Sequence, residues 1–226
     1  MNPNWVARNR YTLLLIALTL LIVVYPPLLA PAGSPVLARA LTTAVYLAGG
    51  WAVLARTRTR FAGALLAVPA LAGVWTGYVL PEEYGRTAAA VFHGTAAAFQ
   101  TLVLCALVRG VLREPTVSWD AVAAALCGYL LIGVAFGNLY GLVNSVTPGS
   151  FTGVNASGDV EAHVALTYFS FVTLTTVGYG DITPAAAPAR SLTLAEAVIG
   201  QFYLTVLVAE LVGKRVSQAL AKDPLK

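Results

Sequence analysis

Apolar positions along this chain gather into long uncharged runs, separated by short clusters of charge, proline and glycine, rather than alternating with polar ones. Runs of that length suit helices that cross a hydrocarbon layer, which takes about 20 residues at a rise of about 1.5 Å each. Five of them, at about 11 to 31, 37 to 55, 61 to 80, 87 to 108 and 120 to 143, and a sixth at about 189 to 213, predict six transmembrane helices. The second has only sixteen uncharged residues between Arg39 and Arg56, so Arg39 must snorkel toward the interface. Pro26, Pro27, Pro31 and Pro35 mark the exit from the first run, and Pro81 with Glu82 and Glu83 ends the third.

Between the fifth and sixth runs lies an uncharged stretch of twelve residues, Val164 to Thr175, the length of a re-entrant segment rather than a crossing. Its return leg is rich in glycine and cannot be helical throughout. Non-helical backbone at membrane depth is tolerated only where it is buried in protein or lines a water-filled path, so the pattern points to a pore.

Composition and charge sharpen this picture. The chain is 58% hydrophobic and 11% charged, which places it among integral membrane proteins. The first run is too long for the core of a signal peptide and is expected to stay as a span. The net charge of +4 is carried mostly by cations between the runs, where they set topology rather than attract nucleic acid. With the N-terminus inside, Arg8, Arg10, Arg56, Arg58, Arg60, Arg109, Arg113, Lys214, Arg215, Lys222 and Lys226 face the cytoplasm. Only Arg39, Arg86 and Arg190 are left outside, so eleven of the fourteen cations favour this orientation. A multi-pass protein of the plasma membrane with both termini cytoplasmic follows as the expectation. The loop Asn144 to Ala162 becomes an extracellular turret, and Asn155-Ala156-Ser157 within it is only a weak glycosylation pattern. Cys105 and Cys127 sit in apolar stretches without metal-ligand spacing and are expected to be inert.

The candidate chemistry is concentrated in Thr175-Thr176-Val177-Gly178-Tyr179-Gly180-Asp181. A potassium ion entering a bilayer must exchange its water shell for other oxygens. The backbone carbonyls of Thr176, Val177, Gly178 and Tyr179, with the Thr176 hydroxyl, would supply stacked oxygen rings if four chains surrounded one axis. Inward-pointing carbonyls in succession need backbone angles that side chains penalise, which Gly178 and Gly180 supply. This segment closely resembles the signature of potassium channels, strongly over Asn144 to Lys226 with the preceding outer helix and only in architecture over the first 115 residues. The resemblance implies an all-α homotetramer of six transmembrane helices per subunit, each with a re-entrant pore helix and a selectivity filter at Thr176 to Gly180. It also implies passive K⁺ flux, with K⁺ at Thr176, Val177, Gly178 and Tyr179, no cofactor, and its own copies, membrane lipid and K⁺ as partners, with no nucleic acid. Residues 1–115 would form a four-helix domain and residues 116–226 the pore domain.

Around the filter, Tyr168 to Leu174 has the aromatic and small-polar pattern of a pore helix whose C-terminal dipole end favours a cation. Val177 and Tyr179 turn outward into packing, and Thr175 supports the filter from the helix end. Some potassium channels place a glutamate where Val172 stands, paired with the mouth aspartate. Val172 cannot pair, so Asp181 is expected to bond Tyr168. Leu192 to Gly213 should form the pore-lining helix, with Gly200, twenty residues after Gly180, at the position of a hinge or of close packing. Gln201, Leu204, Val208 and Val212 fall on one helical face and are expected to line the cavity and lower gate. Glu196 could brace the back of the pore helix, and Glu210 could pair with Lys214 one turn on.

A six-span subunit with this filter invites comparison with voltage-gated channels, whose fourth span carries arginine at every third position. Here no arginine or lysine lies between Arg86 and Arg109, so weak voltage dependence is expected. His93, alone among ionisable residues in that span, is expected to be a buried hydrogen-bonding group. The linker Arg109 to Asp120 could lie along the membrane surface, and the short tail after Gly213 has no room for a nucleotide-binding domain. A potassium uptake transporter would show four repeats with degraded filters, and an enzyme would show paired carboxylates, a nucleophile with its base, or a phosphate loop. Neither pattern is present in the sequence.

Overall fold

The computed structural model describes residues 10–28, 34–54, 60–76, 85–113, 117–154 and 159–222. They form seven helices: α1 Arg10–Leu28, α2 Pro35–Leu54, α3 Arg60–Thr76, α4 Gly85–Arg113, α5 Trp119–Val146, α6 Asp159–Leu174 and α7 Ala187–Lys222. Two short strands, β1 Phe151–Thr152 and β2 Thr183–Pro184, complete the order. Among the described residues, α4, α5 and α7 are long and apolar enough to cross a membrane, and α1 holds a shorter apolar helix at Arg10–Val24.

Helix ends differ from those expected of the apolar runs alone. α4 continues past 108 through Arg109 and Arg113, cations that suit the negative end of the helix dipole. α5 begins at Trp119, where the Ser118 side chain accepts the Ala121 N–H at 3.1 Å and Asp120 sits in the first turn. The connection between α4 and α5 is therefore much shorter than the surface linker expected from Arg109 to Asp120. Likewise α7 continues through Gly213 to Lys222, because the residues that follow are good helix formers. The expected turret contracts from both sides, since α5 reaches Val146 and α6 begins at Asp159. The glycosylation pattern at Asn155 lies outside the described residues, as do positions 29–31 and 77–80 at the ends of the first and third expected spans.

α5 is the spine of the molecule. One side joins a core of Leu14 and Leu18 from α1, Val45 and Tyr46 from α2, and Phe99, Val103 and Leu107 from α4. The other side joins a second core in which Ile132, Phe136 and Tyr140 meet Phe151, Leu166, Phe169 and Leu174. A helix packed on two sides needs small residues where its neighbours come close. Gly128 faces Tyr203 of α7, Gly133 faces Phe171 and Gly137 faces Thr167 of α6, and Gly141 faces His93 of α4. A methyl group at any of these four positions would collide with the opposing side chain. Tyr203 also donates to the Ala125 carbonyl at 2.7 Å, tying α7 to α5 by both packing and hydrogen bond.

Candidate functional site

The site is built on the C-terminal end of α6. Exposed helix-end carbonyls must find donors, and here the chain that leaves the helix supplies most of them. The Thr175 N–H and side-chain hydroxyl both donate to the Phe171 carbonyl, at 3.0 and 2.6 Å, and the Thr176 N–H donates to Thr173 at 2.9 Å. The Val177 and Gly178 N–H groups share the Val172 carbonyl at 3.0 and 3.3 Å, while the Tyr129 hydroxyl of α5 donates to Leu174 at 3.2 Å. The first turn of the exit strand is thus folded back on the helix that carries it.

From there the backbone alternates. Thr176, Gly178 and Gly180 have φ of 60°, 58° and 79°, whereas Val177 and Tyr179 keep ordinary negative values. Left-handed and right-handed residues in alternation allow successive carbonyls to face the same side of an extended segment, which a β-strand, with its alternating carbonyls, does not. The two glycines take these angles freely. Thr176, the only non-glycine with positive φ among the described residues, is β-branched, and such a residue stays there at a cost of about 1–3 kcal/mol. Sequence reasoning anticipated the glycines but not this strain.

All residues from Thr175 to Asp181 are exposed on the single chain, Val177 by 51% and Tyr179 by 71%. The Tyr179 ring meets no other aromatic ring of the described residues within its own subunit. The Tyr168 side chain lies beside the Asp181 carboxylate, and Val172 is buried beneath. β1 and β2 pair antiparallel here, Phe151 opposite Pro184 and Thr152 opposite Thr183, fastening the segment after α5 to the one that follows Asp181. Gly153, at φ 82°, lies against the Asp181 carbonyl so closely that no side chain would fit.

Behind α6, Glu196 of α7 is wholly buried. Its carboxyl accepts from the Tyr140 hydroxyl of α5 and is bonded to the Ser170 hydroxyl of α6, which is also 2.7 Å from the Gly133 carbonyl. One side chain therefore gathers three helices, in the bracing position anticipated from the sequence; its partners were not anticipated. Ser170 and Tyr140 offer no periodic signal, although a serine amid the aromatic residues of a pore helix is the kind of residue that seeks a buried acceptor. Gly200 is buried, and a methyl group there would meet the Leu174 side chain. α7 passes this point without a break.

Further along α7, Gln201, Leu204, Val208 and Val212 are all exposed on the single chain. Glu210 pairs with Lys214 at 3.1 Å. The same Lys214 ammonium donates to the carbonyls of Val111 and Leu112 at 2.9 and 3.2 Å, capping the end of α4. His93 is buried on α4, with Nδ1 3.1 Å from the Asn138 Oδ1, and Asn138 in turn donates to the Gln100 side chain at 3.1 Å. Because the amide oxygen only accepts, His93 carries its proton on Nδ1. Cys105 and Cys127 are both free thiols.

Comparison with known proteins places this geometry in a class. A protein-family model described as "Ion channel" matches residues 124–217, the stretch from α5 through α6 and the filter segment into α7. That stretch is similar to an ion-channel domain, and with its long apolar helices it supports a membrane protein. More particularly, the "Two pore potassium channel c" of rice (Oryza sativa subsp. japonica) is 34% identical over 87 residues, which are 38% of this chain. The aligned stretch spans 17% of that relative's own length. No solved structure matches the chain.

Proposed function

We propose that four copies of this chain assemble around one axis as a potassium-selective channel, with Thr176 to Gly180 as its filter. The observation that carries this reading is the positive φ at Thr176, Gly178 and Gly180, an alternation that allows consecutive carbonyls to face one side. Around a four-fold axis those carbonyls would stack into oxygen rings that replace the hydration shell of K⁺. The Asp181 carboxylate, beside Tyr168, would concentrate cations at the entrance. Val177 and Tyr179, bare on the single chain, would pack against neighbouring subunits behind the filter.

In this reading α1 to α5 and α7 are six spans, both termini are cytoplasmic, and the inner ends of four α7 helices form the gate. Gln201, Leu204, Val208 and Val212 would line that cavity, where apolar side chains close a pore by dewetting, and Gly200 would be the place at which α7 bends. The rod between Arg86 and Arg109 carries no cation. Each elementary charge moved through the field contributes about 2.3 kcal/mol per 100 mV, so a membrane potential has little to act on there. Conduction would depend only weakly on voltage.

The test is flux from liposomes containing the purified protein and loaded with K⁺ under an imposed potential. K⁺ should leave far faster than Na⁺, and Gly178→Ala should abolish the difference or the flux. Equal passage of both ions, with Gly178→Ala behaving as wild type, would sink the reading.

A further inference from the structure

Two cavities meet on the back of α6. The first, of about 170 Å³, lies between α1, α2, α4, α5 and α6 and is walled mainly by apolar side chains, among them Leu21, Ile22, Val45, Phe92, Val164 and Phe171. The second, of about 130 Å³, is more polar and is lined by Arg86, His93, Asn144 and Ser145, with no acidic side chain among its walls. His163 belongs to both. Its Nδ1 is buried without a hydrogen-bond partner, and one turn on, in the wall of the apolar cavity, the Thr167 hydroxyl is buried in the same condition. Buried polar groups ordinarily find partners, so two orphans beside one void indicate something that the single chain does not supply. Arg86 is exposed and makes no ion pair among the described residues.

We propose that the paired cavities form one binding site for a phospholipid, its phosphodiester at Arg86 and Asn144 and one acyl chain in the apolar cavity behind the pore helix. The charge and shape match the two halves of such a molecule. Arg86 offers a guanidinium fork and Asn144 an amide donor to phosphate oxygens, while the ester oxygens at the neck of the lipid come level with His163 and Thr167. An apolar cavity left empty forfeits the contacts of every atom in its wall, and an acyl chain restores them. The lipid belongs to the outer leaflet, an assignment that rests on the orientation proposed above; the binding itself does not. The far end of the cavity reaches Tyr168, which lies beside Asp181, and Phe171, which holds Thr175, so the lipid would stand directly behind the filter's supports.

The experiment uses the purified full chain in detergent, incubated with dioleoylphosphatidylglycerol, with dioleoylglycerol, or with inorganic phosphate, and read by native mass spectrometry and thermal unfolding. The phosphatidylglycerol should be retained at one molecule per subunit and raise the unfolding midpoint. Dioleoylglycerol, which has the chains without the phosphate, should be retained less, and inorganic phosphate should do nothing. Arg86→Gln should lower phosphatidylglycerol retention by about fivefold, the worth of one exposed charge-assisted pair, and leave unfolding in detergent alone unchanged. Ile22→Trp, which plugs the apolar cavity, should lower retention independently. Three results overturn the proposal: equal retention of the two lipids, protection by inorganic phosphate alone, or full retention by both variants, as annular lipid or a neighbouring copy in the cavity would give. No outcome depends on ion flux, so failure here is separate from failure of the channel reading.

Discussion

Glu196 meets Tyr140 and Ser170 in a site without solvent, and among the described residues its only close partners are those two hydroxyls. Glu196→Ala would take from the buried Tyr140 hydroxyl its carboxyl acceptor and leave only the Thr193 side chain beside it, and a buried donor that loses its partner costs about 1–3 kcal/mol. Tyr140→Phe removes the donor and leaves Ser170 in place, so it should cost less. Thermal unfolding of the two variants in detergent checks the order; a larger loss for Tyr140→Phe would show that Glu196 is not the clasp. At this scale the sequence was partly legible. Positive φ at Gly178 and Gly180 follows from the absence of a side chain, and an acidic residue inside a span announces a need for partners. Thr176 carries no such mark, since a threonine forced into the left-handed region looks like any other. The identities of Glu196's partners depend on how three helices cross, which no single helix encodes.

Among the elements, the existence of the helices was legible and their ends were not. An uncharged run must be helical in a membrane, but past its edge Arg109, Arg113, Lys214 and Arg215 suit helix and coil alike, so neighbours decide. Lys214 illustrates this by reaching from α7 to the terminal carbonyls of α4. Lys214→Met should free the end of α4, seen as faster amide exchange at residues 109–113 with little change in α6. The glycines of α5 were also missed as a set, because their spacing marks contact with three different helices rather than one. Gly133→Ala would drive a methyl group into the Phe171 ring, and overpacking of this kind costs about 1–3 kcal/mol. Adding Phe171→Leu should recover part of that loss; unfolding that is no better in the double variant would place the strain elsewhere.

For the whole molecule, the contrast between α5 and α7 is the guide to assembly. The apolar window of α5 is 72% buried within the single chain and that of α7 only 11%, although the two are similar in hydropathy. Leu194, Val198 and Phe202 stand bare at 70, 52 and 66% exposure, a face that the proposed four-fold assembly would cover. If four copies meet along α7, amine cross-linking of the purified protein, which carries several lysines per subunit, should give cross-linked species up to the tetramer and none larger. A ladder that stops at the dimer would refute the four-fold arrangement. The length of α7 then acquires mechanical meaning. Its 36 residues make a rod of about 54 Å, well beyond a hydrocarbon layer of about 30 Å. Gly200 rests on Leu174 at the end of α6, so in the proposed channel that contact would be a fulcrum, and the remaining arm to Lys222 is about 33 Å long. A tilt of about 10° there would carry the far end by roughly 6 Å while scarcely moving the fulcrum. In the proposed tetramer, the foundation of the filter could stay still while the opposite mouth opened by more than the width of a bare ion.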